Sequence, residues 1–265
     1  MVRKVILVAL LALMAVACSS VMFTGRRQVK LISTSEMSAM AVESYSAFIG
    51  ENALSTNVDY QALLNAVGSK MQVAVETYMR KEGLEDQIAS LEWEFNVVES
   101  DEINAWAMPG GKIVFYSGIM PICKDEKGIA VVMGHEIAHV LAQHGNERMS
   151  QQMLAQGVTT VFSEWMQSKP EQTQYIYNTA FAVGAQYGAL LPYSRLHERE
   201  ADKIGQIIMA LAGYDPAHAV TFWQDMNEMS SGTSTPEFMS THPSYSTRIQ
   251  VLTDNIEPAR QYMEE

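Results

Sequence analysis

The residues best suited to chemistry stand at 135–139, where the chain reads His135-Glu136-Ile137-Ala138-His139. The surrounding stretch, from Asp125 to about Met149, is helix-compatible throughout. Residues four apart share one helix face, about 6 Å apart along the axis, so both imidazoles can reach a single zinc ion. Glu136 lies one step round the helix and faces the adjacent position a water would take. The competing reading is an ordinary buried helix with two satisfied histidines. It leaves a glutamate on an apolar helix in need of its own partner.

Catalytic zinc takes three protein ligands and keeps one open position, so a third donor is required. His144 lies about 180° from His135 on a continuing helix and reads as exposed; His218 follows Asp215-Pro216 at a helix start and reads as surface. The segment Ser194-Arg195-Leu196-His197-Glu198-Arg199-Glu200-Ala201-Asp202 is more promising, introduced by Pro192 and closed by Gly213. Glu198 and Asp202 share a face there, which offers a carboxylate ligand and a second carboxylate to orient a ligand histidine. Glu200 is about 200° away from Glu198 and is assigned to the opposite, exposed face. The alternative for this segment is a solvated, charged helix start.

These residues need elements to hold them. Ser33-Thr34-Ser35-Glu36 is a capping-box start for a helix ending near Gly50, and Asn57 and Gly83 bracket a second helix with Leu63, Leu64, Val67, Met71 and Val75 on one stripe. From Leu91 the period changes to two, with Leu91, Trp93, Phe95 and Val97 alternating with polar residues, the pattern of a half-buried strand. Ile103 to Met108 and Lys112 to Ser117 read as two further strands joined by Pro109-Gly110-Gly111. The fold class expected is α+β and predominantly helical, with a small sheet beside the metal-binding helix. Gln151 to Leu191, rich in methionine and aromatics, is either a cap over the cleft or plain helix packing.

Composition narrows the partners. The 265 residues are 48% apolar and 18% charged, a globular balance. The 18 basic residues against 30 acidic ones give a net charge of -12, which argues against nucleic acid. Arg3 and Lys4 precede an apolar run from Val5 to Ala17, and Ala15-Val16-Ala17-Cys18 ends it with small residues before a cysteine. That reads as a bacterial lipoprotein signal with Cys18 lipidated, against plain secretion or an uncleaved anchor. A helix of that length rises only about 20 Å, short of a bilayer's hydrocarbon core. Residues 1–17 are therefore assigned to the signal peptide, 18–32 to a lipidated surface tether and 33–265 to a single domain. Cys123 is expected to be a small buried residue.

Four segments, GHEIAHVLAQHGNER (134–148), YSRLHEREAD (193–202), AGYDP (212–216) and STHPSYSTRI (240–249), together resemble the gluzincin metallopeptidases that include HtpX, the CAAX prenyl proteases and the Oma-type mitochondrial proteases. TGRRQ at 24–28 and NAWAMPGGKIVFYSG at 104–118 are similar to the soluble lipoprotein branch of that family. The resemblance implies a zincin fold and one Zn²⁺ held by His135, His139 and Glu198, with Asp202 supporting a histidine ligand and Glu136 as base. It also implies that His242 and Arg248 lie near the cleft. There His242 would steady the oxyanion or, in a latent form, approach the metal.

An exposed strand through Asn104, Ala105 and Trp106 can pair an extended peptide by main-chain hydrogen bonds. Trp106 itself is either a pocket wall or a core aromatic. The expected function is a zinc endopeptidase acting on misfolded or unassembled envelope proteins, lipid-anchored at the periplasmic face of an outer membrane, with outer-membrane assembly machinery as a possible partner. The alternative from another class is a zinc-stabilised chaperone or assembly adaptor, against which an intact Glu136 argues.

Overall fold

The computed structural model describes residues 18–166, 191–230, 237–242 and 247–264. The expected signal segment 1–17 and the central part of the stretch 151–191 lie outside the described residues. Strands β1 (Cys18–Ser20) and β2 (Arg27–Val29) pair antiparallel. This departs from the expected surface tether. Val21 and Gln28 are buried, with Val21 part of the main hydrophobic core, so the hairpin is docked on the domain.

Helix α1 (Thr34–Glu51) begins where the capping box predicts: Ser33 accepts from the Glu36 amide and Glu36 reaches back to the Ser33 amide. Helix α2 (Val58–Lys81) is capped by Asn57, whose side chain accepts from the Asp59 and Tyr60 amides. It buries Leu64, Val67, Met71 and Val75, while Leu63 stays at the margin of the core. A single turn, α3 (Glu85–Ile88), leads to the sheet.

Strands β3 (Glu94–Val98), β4 (Ala105–Met108) and β5 (Lys112–Tyr116) are arranged in the order β3-β5-β4. β5 runs parallel to β3 and antiparallel to β4. The first strand starts later than the alternation from Leu91 suggests, because the Glu92 and Glu94 amides donate to the Gly110 and Gly111 carbonyls of the β4–β5 turn. Gly111 has φ +84°, and a Cβ there would lie 2.8 Å from the Trp93 ring, so only glycine fits. Among the described residues β4 pairs with β5 alone, which leaves it as the sheet edge beside the helix of the HExxH motif.

After the turn α4 (Met120–Cys123), helix α5 (Glu126–Leu141) carries the motif, its start capped by Asp125. It is buried nearly all round, as a helix through the centre of a domain must be. The chain does not continue as one helix to Met149. Gln143 takes a left-handed φ of +53°, and a separate helix α6 (His144–Met166) starts in a new direction. Helix α7 (Leu191–Leu211) then crosses α5, and α8 (Ala217–Ser230), α9 (Glu237–Thr241), α10 (Arg248–Asp254) and α11 (Ile256–Arg260) close the far side. The architecture is α+β and mostly helical. Among the described residues no helix is long and apolar enough to cross a membrane.

The crossing of α5 and α7 depends on two glycines. A Cβ on Gly134 would sit 2.9 Å from the Gly205 carbonyl oxygen, and one on Gly205 would sit 3.0 Å from the His135 amide nitrogen. Backbone therefore meets backbone, with Ile129, Met133 and Ile137 packed in the same core as Ile204 and Ile208. The close approach places the motif's histidines opposite Glu198.

Candidate metal centre

His135, His139, Glu198 and His242 each present one donor atom, and these atoms all lie within 4.8 Å of one another. His135 Nε2 is 3.1 Å from His139 Nε2, 3.2 Å from Glu198 Oε2 and 3.1 Å from His242 Nδ1. Glu198 reaches His139 Nε2 at 3.5 Å and His242 Nδ1 at 3.2 Å. The three ligands anticipated from sequence are thus brought together by α5 and α7, and His242 joins them from the residue after α9.

The donor chemistry fits a cation. His135 Nδ1 lies 3.1 Å from Asp202 Oδ1, so the one N–H of a neutral ring is spent on that carboxylate and Nε2 turns a bare lone pair inward. His139 Nδ1 is likewise engaged, 2.9 Å from His144 Nδ1. Two lone pairs and a carboxylate facing one another repel unless something positive lies between them. The spacing also agrees, since donors at zinc distances on a tetrahedron are about 3.3 Å apart.

The surrounding carboxylates favour positive charge in the site, from a bound ion or from a proton on His135. Burial opposes charge on His135, yet its contacts with Asp202 and Glu198 carry its pKa up to about 9. Burial likewise opposes ionisation of Glu198, but His139, His135 and His242 hold its pKa well below the carboxylate range. His139 is pushed well below the usual imidazole value by burial. The cavity is built for a negative carboxylate facing positive charge.

Glu136 stands apart from the donors. Burial raises its pKa, with His242 and His135 opposing, and its Oε1 is buried without a hydrogen-bond partner among the described residues. His242 Nε2 comes to 3.2 Å of that oxygen, though not aligned for a hydrogen bond. The Ala107 main chain on β4 also lies against this carboxylate.

Arg248 does not face the cleft. It is buried, donates from one terminal nitrogen to Asp202 Oδ1 at 2.6 Å and from the other to the His242 carbonyl at 3.3 Å, and its guanidinium carbon lies 3.2 Å from the Trp223 ring centre. Trp223 stacks in turn on Phe238, which packs against His242. Arg248 therefore stands behind the donors, gripping the groups that orient them.

The strand residues divide. Asn104 gives its carbonyl to the Tyr116 amide and its side chain to the Ala105 amide, and Ala105 is buried in the core. Trp106 packs edge-on against Phe48 and Tyr45 in a smaller aromatic cluster. The antiparallel ladder places the main chain of Ala107, like that of Ala105, on the side away from β5. A pocket opens beside it, lined by Met37, Met79, Leu91, Leu141, Arg148 and His139.

Two side chains lie elsewhere than the sequence suggests. His144, assigned to the surface, is fully buried behind His139, because the break at Gln143 turns α6 back toward the site. Glu200, assigned to an exposed face, is only 5% exposed: His144 Nε2 lies 3.0 Å from its Oε2, and Thr24 and Arg26 donate to it as well. Arg26 also grips Glu147 through both terminal nitrogens, at 3.0 and 2.7 Å. HGNER and TGRRQ stand out in the sequence, but nothing in their spacing joins them across 121 residues.

The pattern described as Peptidase family M48 matches residues 66–256. The chain is 34% identical over 167 residues to the mitochondrial metalloendopeptidase OMA1 of Schizosaccharomyces pombe, covering 62% of this chain and 47% of that one. It is 28% identical over 250 residues to human OMA1, covering 86% and 44%. It is 31% identical over 153 residues to the beta-barrel assembly-enhancing protease of Escherichia coli, covering 56% and 31%. The chain thus spans between about a third and a half of these relatives' length.

Proposed function

The chain belongs to peptidase family M48, and on that premise we propose that it is a zinc-dependent endopeptidase that hydrolyses misfolded or unassembled proteins of the cell envelope. The observation that carries the reading is a buried, unpartnered Glu136 oxygen beside a convergent set of histidine and carboxylate donors. A protein that merely binds has no use for that arrangement.

In this reading His135, His139 and Glu198 hold the ion and Asp202 fixes the tautomer of His135. Zinc, when bound, polarises the scissile carbonyl and acidifies the attacking water. Glu136 accepts the water's proton and returns it to the leaving amine. The substrate lies extended along β4, main chain to main chain with Ala107, which holds a peptide in register while reading little of its sequence. Arg248 is a positioning residue that keeps Asp202 and the His242 backbone in place.

His242 closes the site in this reading. As a fourth donor it would take the position an open catalytic site leaves for water, so the resting form is latent and the His242 ring must withdraw for turnover.

The E. coli relative's name places it at β-barrel assembly. Together with the signal pattern ending at Cys18, this supports a lipid-anchored protein at the periplasmic face of the outer membrane, working beside the assembly machinery. β1 begins at Cys18, so the anchor would hold the 33–265 domain close to the bilayer, with the 18–32 segment packed onto it. The test is direct: the purified protein should contain one zinc and digest casein, and Glu136→Gln should keep the metal and lose the digestion. Zinc with no proteolysis under any condition, including in a His242 variant, would leave only a binding role.

A further inference from the structure

The two histidines of the motif are held from behind in different ways. His135 leans directly on the Asp202 carboxylate, whereas His139 reaches a carboxylate only through a second imidazole. His144 Nδ1 lies 2.9 Å from His139 Nδ1, and His144 Nε2 lies 3.0 Å from Glu200 Oε2.

Proton positions follow from counting. Two bare nitrogens cannot bond to each other, so one of the facing Nδ1 atoms carries a hydrogen. His139 turns Nε2 into the donor cluster, which leaves its proton on Nδ1 to be donated to His144. The neutral His144 then carries its own proton on Nε2 and donates it to Glu200. The reverse direction would leave Glu200 facing a bare nitrogen and put a proton on His139 Nε2, where a lone pair is needed.

Glu200 is fixed in turn. Arg26 donates to it through Nε at 2.8 Å and Thr24 through its hydroxyl, while Glu147 holds the other end of the guanidinium. The His144 ring is stacked on His197 at 4.3 Å with an interplanar angle of 15°, and His197 Nε2 is 2.9 Å from Glu147. These contacts hold the His144 ring in its orientation.

We propose that His144 and Glu200 form a positioning relay that sets the tautomer and orientation of His139, and that the N-terminal hairpin, through Thr24 and Arg26, is the part of the chain that holds the relay in place. The inference rests on reading His139 as a metal ligand. Packing alone accounts for a buried His144 stacked on His197. It does not account for a hydrogen-bonded line running from the back of a donor histidine to a carboxylate pinned by a segment more than a hundred residues distant.

The test compares zinc affinity, by chelator competition, in the full chain and in His144→Phe, His144→Asn, Glu200→Gln and His139→Ala. His144→Phe keeps the stacked ring but removes the acceptor, and should weaken zinc binding by about 10- to 100-fold. His144→Asn restores an oxygen close to the Nδ1 position and should recover most of that loss. Glu200→Gln keeps a hydrogen-bond acceptor without the charge and should weaken binding by about 10-fold, with a shifted visible absorption spectrum in the cobalt-substituted protein. Wild-type affinity in His144→Phe, or equal losses in the Phe and Asn variants, would overturn the relay. Should His144→Phe fail to fold, an unchanged affinity and cobalt spectrum in Glu200→Gln would do the same. His139→Ala should lose zinc outright; if it stays loaded, the ligand assignment fails first and the relay with it.

Discussion

Gly134 of α5 and Gly205 of α7 touch backbone to backbone, with room for a side chain on neither. Alanine in a helix is ordinarily about 1 kcal/mol more favourable than glycine, so propensity alone predicts that Gly205→Ala stabilises. The contact predicts the opposite. The added methyl would sit 3.0 Å from the Gly134 carbonyl carbon and the His135 amide, so α7 must move outward and take Glu198 with it. Gly205→Ala should destabilise by about 1–3 kcal/mol, in the range of overpacked cores, and should also lower zinc affinity. Thermal melts with and without chelator separate the two effects, and a variant more stable than wild type would count against this crossing.

Glu136→Gln and Glu198→Ala should fail in different ways. The first removes a proton acceptor and leaves the donors untouched, so zinc content should stay at one per chain while proteolysis falls at least about 100-fold. The second removes a donor, and bound zinc should largely disappear after dialysis against a mild chelator. Metal analysis beside casein digestion reads both. A Glu136→Gln variant that digests as fast as wild type would sink the hydrolase reading.

The sequence makes legible what local rules determine. Asp125, Ser33 and Asn57 start helices where capping chemistry predicts, and the alternation around Phe95 marks a strand because one face is buried. His135 and His139 meet as their four-residue spacing predicts, and Glu198 joins them from the face it shares with Asp202. His144 and Glu200 escape the helical wheel because it extrapolates a continuing helix, and Gln143 carries none of the usual signals for a left-handed residue, being neither glycine nor asparagine. Resemblance places Arg248 near the cleft, whereas only the packing of Trp223 and Phe238 shows that it reaches the site from behind.

His242→Ala should raise activity. With His242 drawn in beside the other donors, removing the ring opens a position for water and frees the Glu136 oxygen it crowds at 3.2 Å. Initial rates on an unfolded substrate should increase in freshly purified protein while zinc stoichiometry holds. A fall in rate at constant zinc would instead assign His242 to steadying the oxyanion in an enzyme that is already open.

Glu147 should govern part of the acid stability. Burial alone would raise its pKa, but His197 and Arg26 hold it down to about 2. A carboxyl whose folded pKa lies below its unfolded value stabilises the fold fully above the unfolded value, near 4.5, and loses that contribution as the pH falls toward 2. Glu147→Gln removes the linkage and leaves Arg26 with Glu200 alone. The variant should therefore be less stable than wild type at pH 7, by about 3 kcal/mol at most, and the gap should narrow steadily below about pH 4.5. Urea unfolding of the metal-free proteins at several pH values between about 2.5 and 7 measures it, the absence of metal keeping acid-driven metal release out of the difference. A gap that stays constant across that range would mean that Glu147 contributes through packing and hydrogen bonding, with no charge coupled to Arg26.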